Sequence, residues 1–155
     1  MEQVDTEAVI VGDGPERGSL EGLAGELGMS DRIHFLGAQT HSEMPGLLSS
    51  AELAVFPSLM EATSVAALES MACKLPVAAS DVGGLPELID GEVGGLFESG
   101  NPTALAETVI SLLGRDDLST LGARARARVV EKWSNARLVD RHLEVYGSLI
   151  EGRRS

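Results

Sequence analysis

The chain has 155 residues, 43% of them hydrophobic, with 18 glycines but only one Trp, one Tyr and three Phe; this suits one α/β domain able to bury about two thirds of its unfolded surface. A net charge of −12 argues against a nucleic-acid partner, because phosphate backbones are held by clustered Lys and Arg. The single cysteine, Cys73, excludes an internal disulfide, and no basic-then-apolar leader or apolar run near ~18 residues is present, so the expectation is a cytoplasmic chain without a transmembrane segment.

Residues 7–11 read as a buried parallel strand ending in the turn Gly12-Asp13-Gly14-Pro15, with Pro15 and Glu16 opening a helix that runs to Leu27. Leu20, Leu23 and Leu27 share one face of that helix, whereas Gly18, Gly22 and Gly25 weaken it by about 1 kcal/mol each, so it forms only by packing. Residues 33–37 are the next strand. His34 and His41 have no Cys, Asp or His at metal-ligand spacing. A short helix over 42–50 takes Ser42 as its N-cap and tolerates Pro45 in its first turn. A third strand over 53–56 delivers Pro57, Ser58 and Leu59 to a loop.

The stretch from Pro57 to Ser80, PSLMEATSVAALESMACKLPVAAS, is the most informative. Thr63 and Ser64 precede a run of helix formers, which predicts a helix from near Ser64 to near Cys73. Its first N–H groups and the positive end of its dipole suit an anion such as a phosphate. Val65, Leu68 and Ala72 form its apolar stripe, with Glu69 about 40° around from Val65 on the stripe's edge. Helical side chains lean toward the N-terminus, so Glu69 aims at the opening that Glu61 borders. A carboxylate there needs a partner, and sugar hydroxyls would serve.

A fourth strand over 77–79 leads into the loop 81–87, where Gly83-Gly84 lets backbone approach a ligand closely, and 95–97 is a short last strand. Asn101-Pro102 caps a helix to Leu113 that turns Leu105, Val109, Leu112 and Leu113 to the core; Asp116 or Asp117 caps another to Lys132, and Ser134 another to Ile150. The arginines at 124, 126 and 128 read as a solvated helix face. Trp133 reads as a packing anchor, and 151–155 as a frayed tail. Strands separated by helices, with glycine loops at their C-terminal ends, predict one doubly wound parallel sheet over 1–150, Rossmann-like, with its ligand across the crest. No G-x-G-x-x-G follows the first strand, which argues against a dinucleotide-dependent dehydrogenase.

Glu61 and Glu69, followed by SMACKLPVAASDVGGLPELIDGEVGGLF, resemble the signature of the retaining nucleotide-sugar glycosyltransferases of the GT-B fold (family 4, "glycosyl transferases group 1"). The resemblance runs from VIVGDGP to the C-terminal helix. It implies the C-terminal, donor-binding half of a GT-B fold, and transfer of a hexose from a nucleotide-diphosphate sugar to an acceptor without cofactor or metal. It also implies that Glu61 is catalytic, that Glu61 with Thr63, Ser64 and Val65 holds the donor sugar and diphosphate, and that Glu69 binds the ribose hydroxyls. Gly12 and Gly14 would line the cleft, and the nucleobase would lie against the backbone near Ala38 and Gln39.

The family's enzymes carry an N-terminal acceptor domain, and a first strand whose loop supplies an Arg and a Lys to the diphosphate. Met1 falls just before what would be the second strand, so the expectation is a truncated domain lacking its usual first strand. The strands at 7–11 and 53–56 would then close up, or a second polypeptide would fill the gap. The alternative function is a non-catalytic nucleotide-sugar-binding or assembly module, or one half of a split enzyme.

Overall fold

The computed structural model describes residues 5–152. In chain order the elements are β1 Ala8–Val11, α1 Arg17–Glu26, β2 Ile33–Gly37, α2 Met44–Ser50, β3 Ala54–Phe56, α3 Val65–Ala72, β4 Val77–Ser80, α4 Leu85–Leu88, β5 Gly94–Phe97, α5 Pro102–Leu113, α6 Leu118–Lys132 and α7 Asn135–Gly152. Strand pairing is parallel throughout, in two sheets ordered β1-β2 and β3-β4-β5. Where composition leads one to expect a single domain, the chain divides into two compact units, residues 1–47 and 48–155. The strands at 7–11 and 53–56 therefore belong to different sheets.

In the first unit, β1 pairs Ala8 with Ile33 through Val11 with Gly37, and the register slips between Ile10 and Val11. The expectation of a buried strand is corrected here: all four residues are exposed, Val9 by 55%. Leu20, Leu23 and Leu27 of α1 are exposed as well, and Ala24 is the helix's buried residue. Two strands and a glycine-weakened helix enclose too little to form a core; three or more strands with a covered face are needed. The helix expected from Ser42 begins at Met44. The Ser42 hydroxyl meets that of Thr40 at 3.0 Å instead of a helix N–H, and Thr40 and Glu43 close the turn ahead of the helix on each other. The Glu43 carboxylate accepts from the Thr40 hydroxyl at 2.5 Å and from its backbone N–H at 2.8 Å. Those two bonds, the hydroxyl's first, hold the Glu43 carboxyl below the usual carboxylate range.

The second unit has a sealed core. Side chains alternate along a strand, so Val77 and Ala79 of β4 join a cluster with Ala67, Met71, Leu85 and Leu88, while Ala78 joins Phe97, Leu112 and Leu121. Helices thus cover both faces of β3-β4-β5. Asn101 caps α5 as expected, its side chain accepting from the Ala104 N–H at 3.0 Å. Asp117 flanks α6 but makes no side-chain cap bond, because Arg115 claims its carboxylate at 2.7 and 3.0 Å. Of the arginines expected on a solvated face, Arg124 and Arg126 are exposed, Arg126 also donating to the Ala72 carbonyl, whereas Arg128 is half-buried and donates to the Leu88 carbonyl at 3.2 Å. Trp133, expected as an anchor, is 36% exposed and marks the C-cap of α6. Helix α7 continues through Glu151 and Gly152, the first two residues of the expected tail; 153–155 lie outside the described residues.

Candidate functional site

The limits of α3 are those the sequence predicts. Ser64 is its N-cap, and the Ser64 hydroxyl oxygen accepts from the Ala67 N–H at 3.2 Å. Ser64 is buried, so its hydroxyl serves the helix before any ligand. With Ala67 occupied, the N–H groups of Val65 and Ala66 are the ones without a partner among the described residues. At the other end Lys74 takes φ 66°, and its N–H bonds Met71 O while that of Leu75 bonds Ser70 O, each at 3.0 Å. This 6→1 and 5→2 pair is a Schellman cap. Lys74 holds the left-handed position glycine would prefer, at a cost of about 1–2 kcal/mol.

The rotation of α3 differs from expectation. Its buried face is Ala67, Ser70 and Met71, and Val65, placed on the apolar stripe by sequence, is 63% exposed. Glu69 lies about 40° from Val65 and about 200° from Ala67, so it is on Val65's side of the helix, one turn further along and away from the buried face. It is half-buried there. The difference has a simple cause: periodicity gives an apolar stripe but not which of two candidate stripes meets the sheet.

Three loops meet at the C-terminal ends of β3, β4 and β5, where ligands of parallel α/β sheets bind. Glu61, half-buried, and Thr63, exposed, sit in the loop between β3 and α3. The loop after β4 is seated on it. A Cβ added at Gly83, whose φ is 55°, would lie 1.5 Å from the Glu61 carbonyl oxygen, and one at Gly84 would lie 2.4 Å from that of Ala62. These glycines, expected to admit a ligand, admit instead the backbone that carries Glu61. From β5 the Ser99 hydroxyl donates to the Ser58 carbonyl at 3.0 Å. Sequence does not single out Ser99, since a serine next to a strand exit carries no distinguishing signal.

A cavity of about 400 Å³ opens beside these loops, lined by Asp81, Leu96, Phe97, Glu98 and Ser99. None of the candidate residues lines it. Behind the loop after β4, Arg128 pairs with Asp90 at 3.0 Å and reaches Glu92 at 3.7 Å. Burial alone would raise Asp90, but hydrogen bonds from Arg128 and the Glu92 N–H, with the charges of Arg128 and Lys132, outweigh it and hold its carboxyl below the usual range.

The remaining candidates belong to the first unit. Gly12 and Gly14 are exposed in the turn after β1, and the Gly12 N–H bonds Gly37 O at 2.8 Å. Gln39 comes just after β2, half-buried, its side-chain amide donating to Leu36 O at 2.9 Å. The structure thus brings Glu61, Thr63, Ser64, Val65 and Glu69 together on α3 and its entry loop, and gathers Gly12, Gly14 and Gln39 at the crest of β1-β2.

Residues 1–133 match the family "glycosyl transferases group 1". The N-acetyl-alpha-D-glucosaminyl L-malate synthase of Bacillus anthracis is 36% identical over 93% of this chain and 38% of its own length. Sucrose-phosphate synthase from Thermosynechococcus elongatus superposes with a TM-score of 0.82 at 31% identity, over 93% of this chain and 38% of that one. HepE of Anabaena, in complex with UDP, superposes with a TM-score of 0.82 at 25% identity, over 92% of this chain and 41% of that one. The chain therefore spans well under half the length of the proteins it matches. The α/β arrangement is that of the C-terminal Rossmann-like domains of GT-B glycosyltransferases.

Proposed function

We propose, for a chain that belongs to the glycosyl transferases group 1 family, that it is the donor-binding domain of a retaining family 4 glycosyltransferase and that its donor is a nucleotide-diphosphate sugar. The observation that carries this reading is the seating of Gly83 and Gly84 on the Glu61–Ala62 backbone, which fixes the chain that carries Glu61 just ahead of the open N–H groups of Val65 and Ala66. Negative charge grows on the diphosphate as the glycosidic bond breaks, and preorganised amides at a helix N-terminus stabilise it without reorganising. Glu61 takes the sugar hydroxyls, Thr63 and the Ser64 and Val65 backbone the phosphate, and Glu69 the ribose. In the first unit, taken by itself, Gly12, Gly14 and Gln39 are the residues proposed for the nucleobase. The HepE complexes with UDP and UDP-glucose support a uridine nucleotide as the first donor to try.

Transfer of a hexose to an acceptor is proposed for the whole enzyme, with an acceptor domain beyond this stretch and no metal or cofactor. Calorimetric titration with UDP, GDP and ADP sugars tests the reading, run beside a turnover assay. One donor series should bind, and Glu69→Ala should weaken it by about ten-fold or more, the size of a lost hydrogen bond to a charged group. No binding, or binding indifferent to Glu69→Ala, would overturn it. Binding without turnover would favour the non-catalytic module.

A further inference from the structure

The slip in the β1-β2 register pairs Ile10 with Phe35 and Val11 with Gly37, so Leu36 is passed over. Such a bulge bends the strand and re-aims the residues beyond it, here the loop that carries Gln39. Arg17, in the first turn of α1, straddles it. Its Nη2 donates to the Phe35 carbonyl at 3.1 Å, and its Nε is held by Glu21 at 2.8 Å. Nη1 lies against Gly37, where an added Cβ would meet it at 2.9 Å and φ is 70°. The Gly12 N–H bonds Gly37 O from the other side. Gln39 meanwhile folds back on the Leu36 carbonyl at 2.9 Å, so its side-chain amide is spent on the loop's own backbone.

We infer that Arg17 is a positioning residue for the base end of the nucleotide: it clamps the bulge so that the backbone at 37–39 stands fixed where the base is received. The inference rests on the donor-binding reading above. Arg17 acts through the loop and touches no phosphate, so its loss is felt equally by every nucleotide the site takes.

The experiment compares wild type, Arg17→Met and Arg17→Lys by hydrogen exchange of ligand-free protein and by calorimetry with UMP and UDP, then the guanosine and adenosine pairs. Arg17→Met should speed exchange across 36–40 while the amides of β1 and of the second half of α1 keep their wild-type protection, which also shows that the unit carrying Arg17 folds. It should weaken monophosphate and diphosphate alike by about ten-fold, at low and high salt, and Arg17→Lys should recover part of that. A loss larger for the diphosphate and erased by salt would mean a direct phosphate contact and overturn the positioning role. Unchanged exchange and affinity in Arg17→Met would overturn it with the donor reading intact. Wild type taking none of these nucleotides would remove the donor reading and this inference together.

Discussion

Strands β1 and β4 are both four residues long and both parallel. AVIV is the more apolar, yet every residue of it is exposed, whereas all of VAAS is buried. Burial here depends on neighbours and not on hydrophobicity. β4 has a strand on each side and helices over both faces; β1 pairs with β2 in a two-stranded sheet. The small residues of β4 are what let helices approach it, and a strand of larger side chains would not fit the same sandwich.

The contrast predicts where the chain breaks. Met71→Ala, in the sealed core, should cost about 2–5 kcal/mol, while Ile10→Ala should stay near the roughly ±0.5 kcal/mol of surface changes; urea denaturation of the two variants reads the difference, and equal losses would break the comparison. Gly83→Ala should cost about 1–3 kcal/mol by overpacking against Glu61, and it should weaken donor binding in calorimetry. Affinity unchanged in a folded Gly83→Ala would detach that loop from the site. Lys74→Gly relieves the left-handed lysine and should stabilise by about 0.5–1 kcal/mol, seen as a higher thermal midpoint.

The smallest effect is a pH dependence. Asp90 is depressed in the folded state, so its pair with Arg128 contributes fully above the unfolded carboxylate pKa of about 4 and is lost as pH falls through the lower folded value. Half-exposed as it is, the pair is worth about 0.2–1 kcal/mol. Asp90→Asn should flatten the acid limb of the stability profile by that much, and a parallel profile would show the pair contributes nothing.

Much of the fold is legible in the sequence. Ser64 and Cys73 bound α3 as the capping rule predicts, Asn101-Pro102 opens α5, and the five strands fall within a residue of their expected limits. These are local signals, set by which side chains satisfy orphan backbone groups. The part that escapes is tertiary. Nothing in AVIV states how many strands will flank it, nothing in the spacing of Val65 and Leu68 states which side of α3 meets the sheet, and a Gly-Gly pair reads the same whether it faces a ligand or Glu61. Arg17 carries no signal of its own because its value lies in Phe35 and Gly37, eighteen and twenty residues on.

The central claim is that the entry to α3, with the loop seated on it, receives the donor's phosphates. Titrating UDP into uniformly ¹⁵N-labelled protein and following amide shifts tests it most directly. The largest shifts within 48–155 should fall on Thr63, Ser64, Val65, Gly83 and Gly84. UDP that shifts other amides of that unit and leaves these five still would contradict it.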